Sequence, residues 1–281
     1  MSRTPETLVD GLKFGEGPRW RDGRLWYSDF YAHHVRTVDM DGNVETVVEV
    51  PNQPSGLGWT PDGALLIVSM LDRRVLRFQD GTLSEAGDLS GVVTAPCNDM
   101  VVDAEGRAYV GNFGFERHKG EKQKTTSMWR VDPDGSIHKA AGDLTFPNGT
   151  VITPDGRTLI VGETFASCLT AFDVAEDGGL SNRRLWAEME RGVPDGICLD
   201  AEGAIWVADP RGKRVVRYAE GGKMLDEIGF GERGAYACML GGPDRRHLFI
   251  VTNEDSGPDI AARSAGRIEV IEVEVEGAGL P

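Results

Sequence analysis

The chain has 281 residues, 30 of them basic and 45 acidic, for a formal net charge of −15, with 40% hydrophobic and 27% charged residues. That composition is ordinary for a globular protein, and its acidity argues against a nucleic-acid partner. No run of 18 apolar residues is available to cross a membrane and Met1-Ser2-Arg3-Thr4-Pro5-Glu6 lacks the apolar core of a signal peptide, so a cytoplasmic protein with no membrane partner is expected.

In chain order, a short segment, Thr7-Leu8-Val9, precedes a pattern that recurs six times: an apolar strand, a reverse turn, a second apolar strand. The turns are Asp22-Gly23, Asp62-Gly63, Glu105-Gly106, Asp155-Gly156, Glu202-Gly203 and Asp244-Arg245-Arg246. They are followed by Leu25–Ser28, Leu65–Val68, Ala108–Val110, Leu159–Val161, Ile205–Val207 and Leu248–Val251, rich in the β-branched and aromatic residues of buried strands. An alternating third strand comes next, as in Val35-Arg36-Thr37-Val38, and then a tight turn such as Asp41-Gly42 or Asp80-Gly81. A weaker fourth strand, such as Val44–Val48, closes the unit. The turn residues Gly23, Gly63, Gly106, Gly156, Gly203 and Arg246 are spaced 40, 43, 50, 47 and 43 apart, the period of a propeller repeat. Four strands in each of six units predict an all-β fold. The fold expected is a six-bladed β-propeller, one domain over residues 1–281, with antiparallel blades around a central channel. The sixth unit ends at its third strand, near Val275, so Thr7-Leu8-Val9 is expected to supply its outer strand and remove the open edge.

Counting back eight residues from each turn reaches Gly15 (with Glu16 beside it), Ser55, Asn98, Asn148, Asp195 and Cys238. The first strand of a propeller blade lines the channel, so these positions are expected at one channel mouth. Glu16, Asn98, Asn148 and Asp195 offer two carboxylates and two amide oxygens. This donor set suits one divalent cation, calcium foremost, with magnesium, manganese, zinc or iron also compatible. Taken singly, Asn148-Gly149 and Asp195-Gly196 also read as turn dipeptides; the shared register is what argues for a site. The ends of the second strands make a second polar ring at the same mouth: Asp29, Ser69, Asn112, Glu163, Asp209 and Asn253.

Two long loops reach this mouth. One runs from Phe113 to Ser127 and carries Arg117, His118, Lys119, Lys122 and Lys124; the other runs from Asn253 to Gly266. Basic residues in an acidic chain are expected to attract a carboxylate-bearing substrate. His33, on the loop after Asp29, is a candidate substrate contact, as are Asn98, Asn112, Glu163 and Phe113. His118, His138 and His247 read as surface residues. Cys97, Cys168, Cys198 and Cys238 form no C-x-x-C pair and are expected as free thiols in packed strands. Nucleophile-elbow, zinc-protease, P-loop and dinucleotide-loop motifs are lacking.

Gly15-Glu16-Gly17-Pro18-Arg19-Trp20, Asn98-Asp99, Pro147-Asn148-Gly149 and Pro194-Asp195-Gly196-Ile197 resemble the gluconolactonase and senescence-marker-protein (regucalcin) family, in family order and over nearly the whole chain. The resemblance implies a six-bladed propeller with one divalent cation at the channel mouth, hydrolysing small lactones and in some members organophosphates. It implies Glu16, Asn148 and Asp195 as metal ligands, and Asn98 as a contact to metal, substrate or water. It implies Asp195 also as general base; because a metal lowers the basicity of its own carboxylate, Glu163 or Asp209 of the second ring is an alternative for that role. Sugar-lactonase members often carry an arginine two residues before the first asparagine. Pro96 occupies that place here, and Phe113, Phe115, Tyr31 and Phe165 are expected to give a more apolar pocket. The rival readings are a calcium-binding or regulatory propeller without turnover, phosphotriester hydrolysis at the same site, and an interaction scaffold. The sequence carries no signal for oligomeric state.

Overall fold

A computed structural model of the chain describes residues 4–116 and 119–279. The N-terminal residues Met1, Ser2 and Arg3, and Arg117 and His118 of the basic loop, lie outside the described residues.

Strand β1 (Glu6–Leu12) comes first. Blade 1 is β2 (Gly15–Arg21), β3 (Arg24–Asp29), β4 (His34–Val38) and β5 (Val44–Glu49). Blade 2 is β6 (Pro54–Trp59), β7 (Leu65–Ser69), β8 (Arg74–Gln79) and β9 (Thr82–Asp88). Blade 3 is β10 (Cys97–Val102), β11 (Ala108–Asn112), β12 (Thr126–Val131) and β13 (Ile137–Leu144). Blade 4 is β14 (Pro147–Ile152), β15 (Thr158–Glu163), β16 (Cys168–Val174) and β17 (Leu180–Glu188). Blade 5 is β18 (Ile197–Leu199), β19 (Ile205–Asp209), β20 (Arg214–Tyr218) and β21 (Met224–Gly229). Blade 6 is β22 (Gly234–Gly241), β23 (His247–Asn253) and β24 (Gly266–Glu272), with β1 antiparallel to β24 as its outer strand.

The six sheets are antiparallel and their inner strands pack in succession around a common axis, β22 returning to β2. The turns work as their sequences require. Gly63 and Gly156 adopt φ of 84° and 71°, a left-handed conformation that costs glycine little. Apolar side chains of adjacent blades interleave: Val35 of blade 1 packs with Leu57 and Ile67 of blade 2. At the ring closure Trp20 of blade 1 stacks on Phe249 of blade 6 at 5.3 Å.

One backbone device sets the register of the channel mouth. Gly15 pairs with Asp29, Pro54 with Ser69, Cys97 with Asn112, Pro147 with Glu163 and Gly234 with Asn253. In blades 2, 3 and 4 the ladder shifts by a bulge or irregularity directly after that pair; in blades 1 and 6 it shifts one residue later, after Glu16–Ser28 and Ala235–Thr252. A bulge bends the strand and re-aims the side chain at it. Ser55, Asn98 and Asn148 occupy this bulged step, and Glu16 is the last paired residue before it. In blade 5 the Asp195 amide donates to the Ala208 carbonyl just ahead of β18.

The sixth position of the ring is therefore Ala235, and the expectation of Cys238 is corrected. The β22–β23 connection has the same five residues as its counterparts in blades 2 to 5, but β22 and β23 are longer strands and the left-handed turn residue is Arg245 (φ of 62°), so a count of eight back from Arg246 stops three residues too late. Cys238 is buried further along β22, with its Sγ 3.4 Å from the Trp206 carbonyl oxygen and 3.8 Å from Cys198 Sγ.

Adjacent inner strands approach closely beside the ring. A Cβ on Gly149 would lie 2.4 Å from Ile197 N and 2.6 Å from Asp195 O, both backbone atoms that cannot move aside singly. Glycine at this step brings Asn148 and Asp195 side by side.

Candidate active site

A cavity of about 630 Å³ opens at the end of the channel where the inner strands begin, a volume suited to a small-molecule ligand. Glu16, Asn98, Asn148 and Asp195 all line it. Asn98, Asn148 and Asp195 are each no more than 9% exposed, so these polar groups meet the cavity rather than bulk water.

The amides are oriented by a chain of hydrogen bonds. The Pro194 carbonyl can only accept, so the Thr164 hydroxyl 2.8 Å away donates to it. Thr164 Oγ1 then accepts from Asn148 Nδ2 at 3.2 Å, which assigns the other end of that amide to Oδ1. Asn98 Nδ2 donates to Asn148 Oδ1 at 3.0 Å, leaving a second lone pair on that oxygen and the Asn98 Oδ1 as acceptors.

The charges match a cation. Burial pushes the Glu16 carboxyl well above the usual carboxylate range, and the negative charges of Asp195 and Asp99 push it further. Such a pair of carboxylates is relieved by a positive ion between them. Among the described residues no three His, Cys, Asp or Glu side chains cluster as a metal site. A cation here would therefore draw on the amide oxygens as well as the two carboxylates, a hard donor set that fits calcium.

On the same inner strands a buried ion pair joins blades 1 and 3. Arg19 Nη2 lies 3.1 Å from Asp99 Oδ1 and donates to the Met100 carbonyl at 2.7 Å. Both side chains are buried. A smaller cavity of about 160 Å³ at the opposite end of the inner strands is lined mainly by apolar groups. Of its acids, Asp103 accepts backbone N–H bonds from Glu105 and Arg107 and Asp155 accepts one from Arg157, so both cap turns.

The second polar ring does different work from that expected. Asn112 Nδ2 donates to the Ser127 carbonyl, and its Oδ1 accepts from Gly114 N and Thr126 Oγ1. Glu163 accepts from Thr145 N, Thr170 Oγ1 and Arg183 Nη2. Asp209 accepts from Val193 N, Gly212 N and Arg214 Nε. These side chains turn away from the channel to tie down loops, and neither Asn112 nor Glu163 is among the residues lining the cavity. His33 also stands outside that lining: it ends the short turn Phe30–Ala32 with φ of 62°, and its Nδ1 lies 2.7 Å from the Pro51 carbonyl oxygen.

Phe113 does line the cavity, with Tyr31, Phe165 and Pro96, while Phe115 packs behind. There are two aromatic walls. On one side Phe113 stacks on Phe146 at 4.6 Å and Phe146 meets Phe165 edge-on at 4.9 Å. On the other, Phe14 contacts Phe30 and Tyr236, each at 4.8 Å. In the basic loop Lys119 borders the cavity but pairs with Glu116, and Lys124 pairs with Glu121. Sequence reasoning missed Thr164, Tyr236 and the Arg19–Asp99 pair. Thr164 alone had a signal, as the neighbour of the second-ring Glu163.

Residues 14–254 match the family described as the SMP-30/gluconolactonase/LRE-like region. The chain belongs to this family. It is 30% identical over 250 residues to a 6-deoxy-6-sulfogluconolactonase of Pseudomonas putida, covering 86% of this chain and 84% of that protein. It is 28% identical over 263 residues to a pentonolactonase of Haloferax volcanii, covering 90% and 87%. Among solved structures, a gluconolactonase from Xanthomonas campestris superposes with a TM-score of 0.77 at 27% identity, covering 95% of this chain and 88% of that one. In this SMP-30/gluconolactonase-like chain, no helix among the described residues is long and apolar enough to cross a membrane.

Proposed function

We propose that the chain hydrolyses a small-molecule lactone to its hydroxy acid at the Glu16–Asn98–Asn148–Asp195 cluster. The observation that carries this reading is the convergence of four oxygen-bearing side chains, from blades 1, 3, 4 and 5, on the floor of one aromatic-walled cavity. The lactonase names of two relatives support the reaction class and, because they differ in sugar, leave the ring open.

Glu16, Asn148 and Asp195 are the residues that would hold a divalent cation, with calcium the best match. When bound it supplies polarisation of the ester carbonyl and stabilisation of charge on its oxygen. The remaining chemistry belongs to the side chains. The aromatic walls receive the apolar faces of the ring and limit water to the floor. Asn98 offers an acceptor oxygen to the attacking water. As the water oxygen bonds to the carbonyl carbon, Asp195 takes its proton. Collapse of the tetrahedral species breaks the ring C–O bond, and the proton passes to the departing ring oxygen. Glu163 and Asp209 are poor candidates for this base, since their oxygens are engaged by loop donors.

Thr164 is a positioning residue in this account. Thr164→Val removes the acceptor that orients Asn148 and is expected to weaken cation binding by about 10–100-fold, the usual range for a group supporting a ligand. Thr164→Ser, which keeps the hydroxyl, should restore it; calorimetric titration with Ca²⁺ measures both. A purely structural role would lower the melting temperature of the valine variant without moving its ion affinity.

The proposal is tested by pH-stat titration of acid released from a panel of five- and six-membered lactones, with elemental analysis of the same protein. Acid release by protein holding about one divalent ion is expected. No release from any lactone by the ion-loaded protein overturns the reading, and cleavage of a phosphotriester instead would assign the site to that chemistry.

A further inference from the structure

The cavity wall carries an arginine that the hydrolytic account does not use. Arg73 lies between β7 and β8 of blade 2, with a φ of 58°, and lines the cavity together with Pro96 of the neighbouring blade. Its half-buried side chain makes no ion pair, and its buried Nε finds no hydrogen-bond partner, among the described residues. Asp72 beside it in sequence is turned to Asn52 and Arg74 instead. The positive charge of Arg73 reaches the start of β10: burial pushes the Cys97 thiol up to about 12, and Arg73 pulls against that rise.

This is unusual in a chain with a net charge of −15, where most arginines are matched to acids. The Nε is closed off from solvent, so an anion would meet Arg73 through the part of its side chain that lines the cavity, and would supply there the counter-charge that its neighbours do not. At the opposite rim Arg211, on the β19–β20 loop, also lines the cavity without an ion-pair partner among the described residues. The two ring carboxylates are already assigned to a divalent cation and Glu116 pairs with Lys119, so Arg73 and Arg211 are left without a counter-charge among the described residues. Guanidinium matches the paired oxygens of carboxylate, sulfonate and phosphate groups.

We propose that Arg73 forms an anion subsite, and that the preferred substrate is a lactone bearing a sulfonate, phosphate or carboxylate away from the ring carbonyl. This rests on the lactonase reading for its reaction but not for its binding chemistry. The ring carbonyl sits on the Glu16–Asn148–Asp195 floor, and the anionic arm extends along the wall formed by Arg73 and Pro96.

The test compares kcat/KM for glucono-1,5-lactone with that for the same lactone bearing a 6-sulfonate or a 6-phosphate. The proteins are the unaltered chain, Arg73→Gln and Arg73→Lys, each checked by thermal melt. The unaltered chain should favour both anionic lactones, and the preference should decline as NaCl is raised. In Arg73→Gln the anionic-to-neutral ratio should fall by about tenfold or more, the scale of one lost charge-assisted hydrogen bond, with partial recovery in Arg73→Lys. A ratio near one in the unaltered chain, or a ratio that Arg73→Gln does not change, overturns the proposal while leaving lactone hydrolysis intact. Preference for the phosphate without the sulfonate also overturns it, because it marks binding to the cation. Should no lactone turn over, the hydrolytic reading fails, and calorimetric binding of 6-phosphogluconate, 6-sulfogluconate and gluconate to the same proteins decides the subsite by the same ratio.

Discussion

Asp195→Asn is expected to fold as the unaltered chain does and to lose lactone turnover by about 10²–10⁴-fold, the range for removing a general base. Asparagine keeps the shape of the side chain and one amide oxygen toward the cation but cannot accept the water proton. The backbone of residue 195 is independently fixed: its N–H donates to the Ala208 carbonyl and its carbonyl accepts from Gly149 N. Glu16→Gln should separate binding from chemistry. It removes half of the negative charge available to the cation, so ion affinity falls along with turnover. The ion-free Glu16→Gln chain, however, should melt no lower than the ion-free parent. Burial and the neighbouring Asp195 and Asp99 charges all disfavour an ionised Glu16, and a neutral glutamine removes that cost. Loss of activity without loss of stability is the signature of a site held under electrostatic tension for function. Melting curves in chelator and pH-stat rates with added Ca²⁺ measure the two effects. Full activity in Asp195→Asn would return the base to another residue.

Breaking the buried ion pair between blades 1 and 3 should have the largest effect on stability. Asp99→Leu leaves the buried Arg19 guanidinium without its carboxylate and is expected to cost about 3–5 kcal/mol in denaturant unfolding. The double change Arg19→Met with Asp99→Leu should recover most of that loss, because an apolar pair avoids the desolvation of both charges. The reasoning depends on burial: Arg19 is 5% and Asp99 6% exposed, and burial raises the Asp99 carboxyl more than Arg19 lowers it. Equal stability of Asp99→Leu and the parent would show that the ion pair is not a structural tie between blades 1 and 3.

The blades were legible from sequence because turn and strand signals are local. Asp-Gly and Glu-Gly steps flanked by apolar runs specify hairpins whatever lies around them, and their period counts the blades. The floor of the site was legible for a related reason. Glu16, Asn98, Asn148 and Asp195 occupy one step of a repeated register, so the repeat itself aligns them. Register failed where the repeat was irregular, at the longer β22–β23 strand pair that displaced Ala235 in favour of Cys238. Side-chain direction failed at Asn112 and Glu163. A position at the mouth does not say whether a side chain turns inward or folds back, and in both residues nearby loop donors hold the side chain away from the channel. Pairings between distant residues had no local trace. Arg19 and Asp99 are 80 residues apart, and Arg73 enters the cavity from a different blade than Pro96.

The most direct measurement strips the protein of divalent ions with chelator, returns Ca²⁺ in steps, and follows bound ion by equilibrium dialysis and lactone hydrolysis by pH-stat on the same samples. The account predicts turnover that rises in proportion to bound ion, reaches its plateau at about one ion per chain, and stays at least about 100-fold lower throughout in Asp195→Asn. Undiminished hydrolysis by the stripped protein, or ion binding at full occupancy with no hydrolysis of any lactone in the panel, would contradict it.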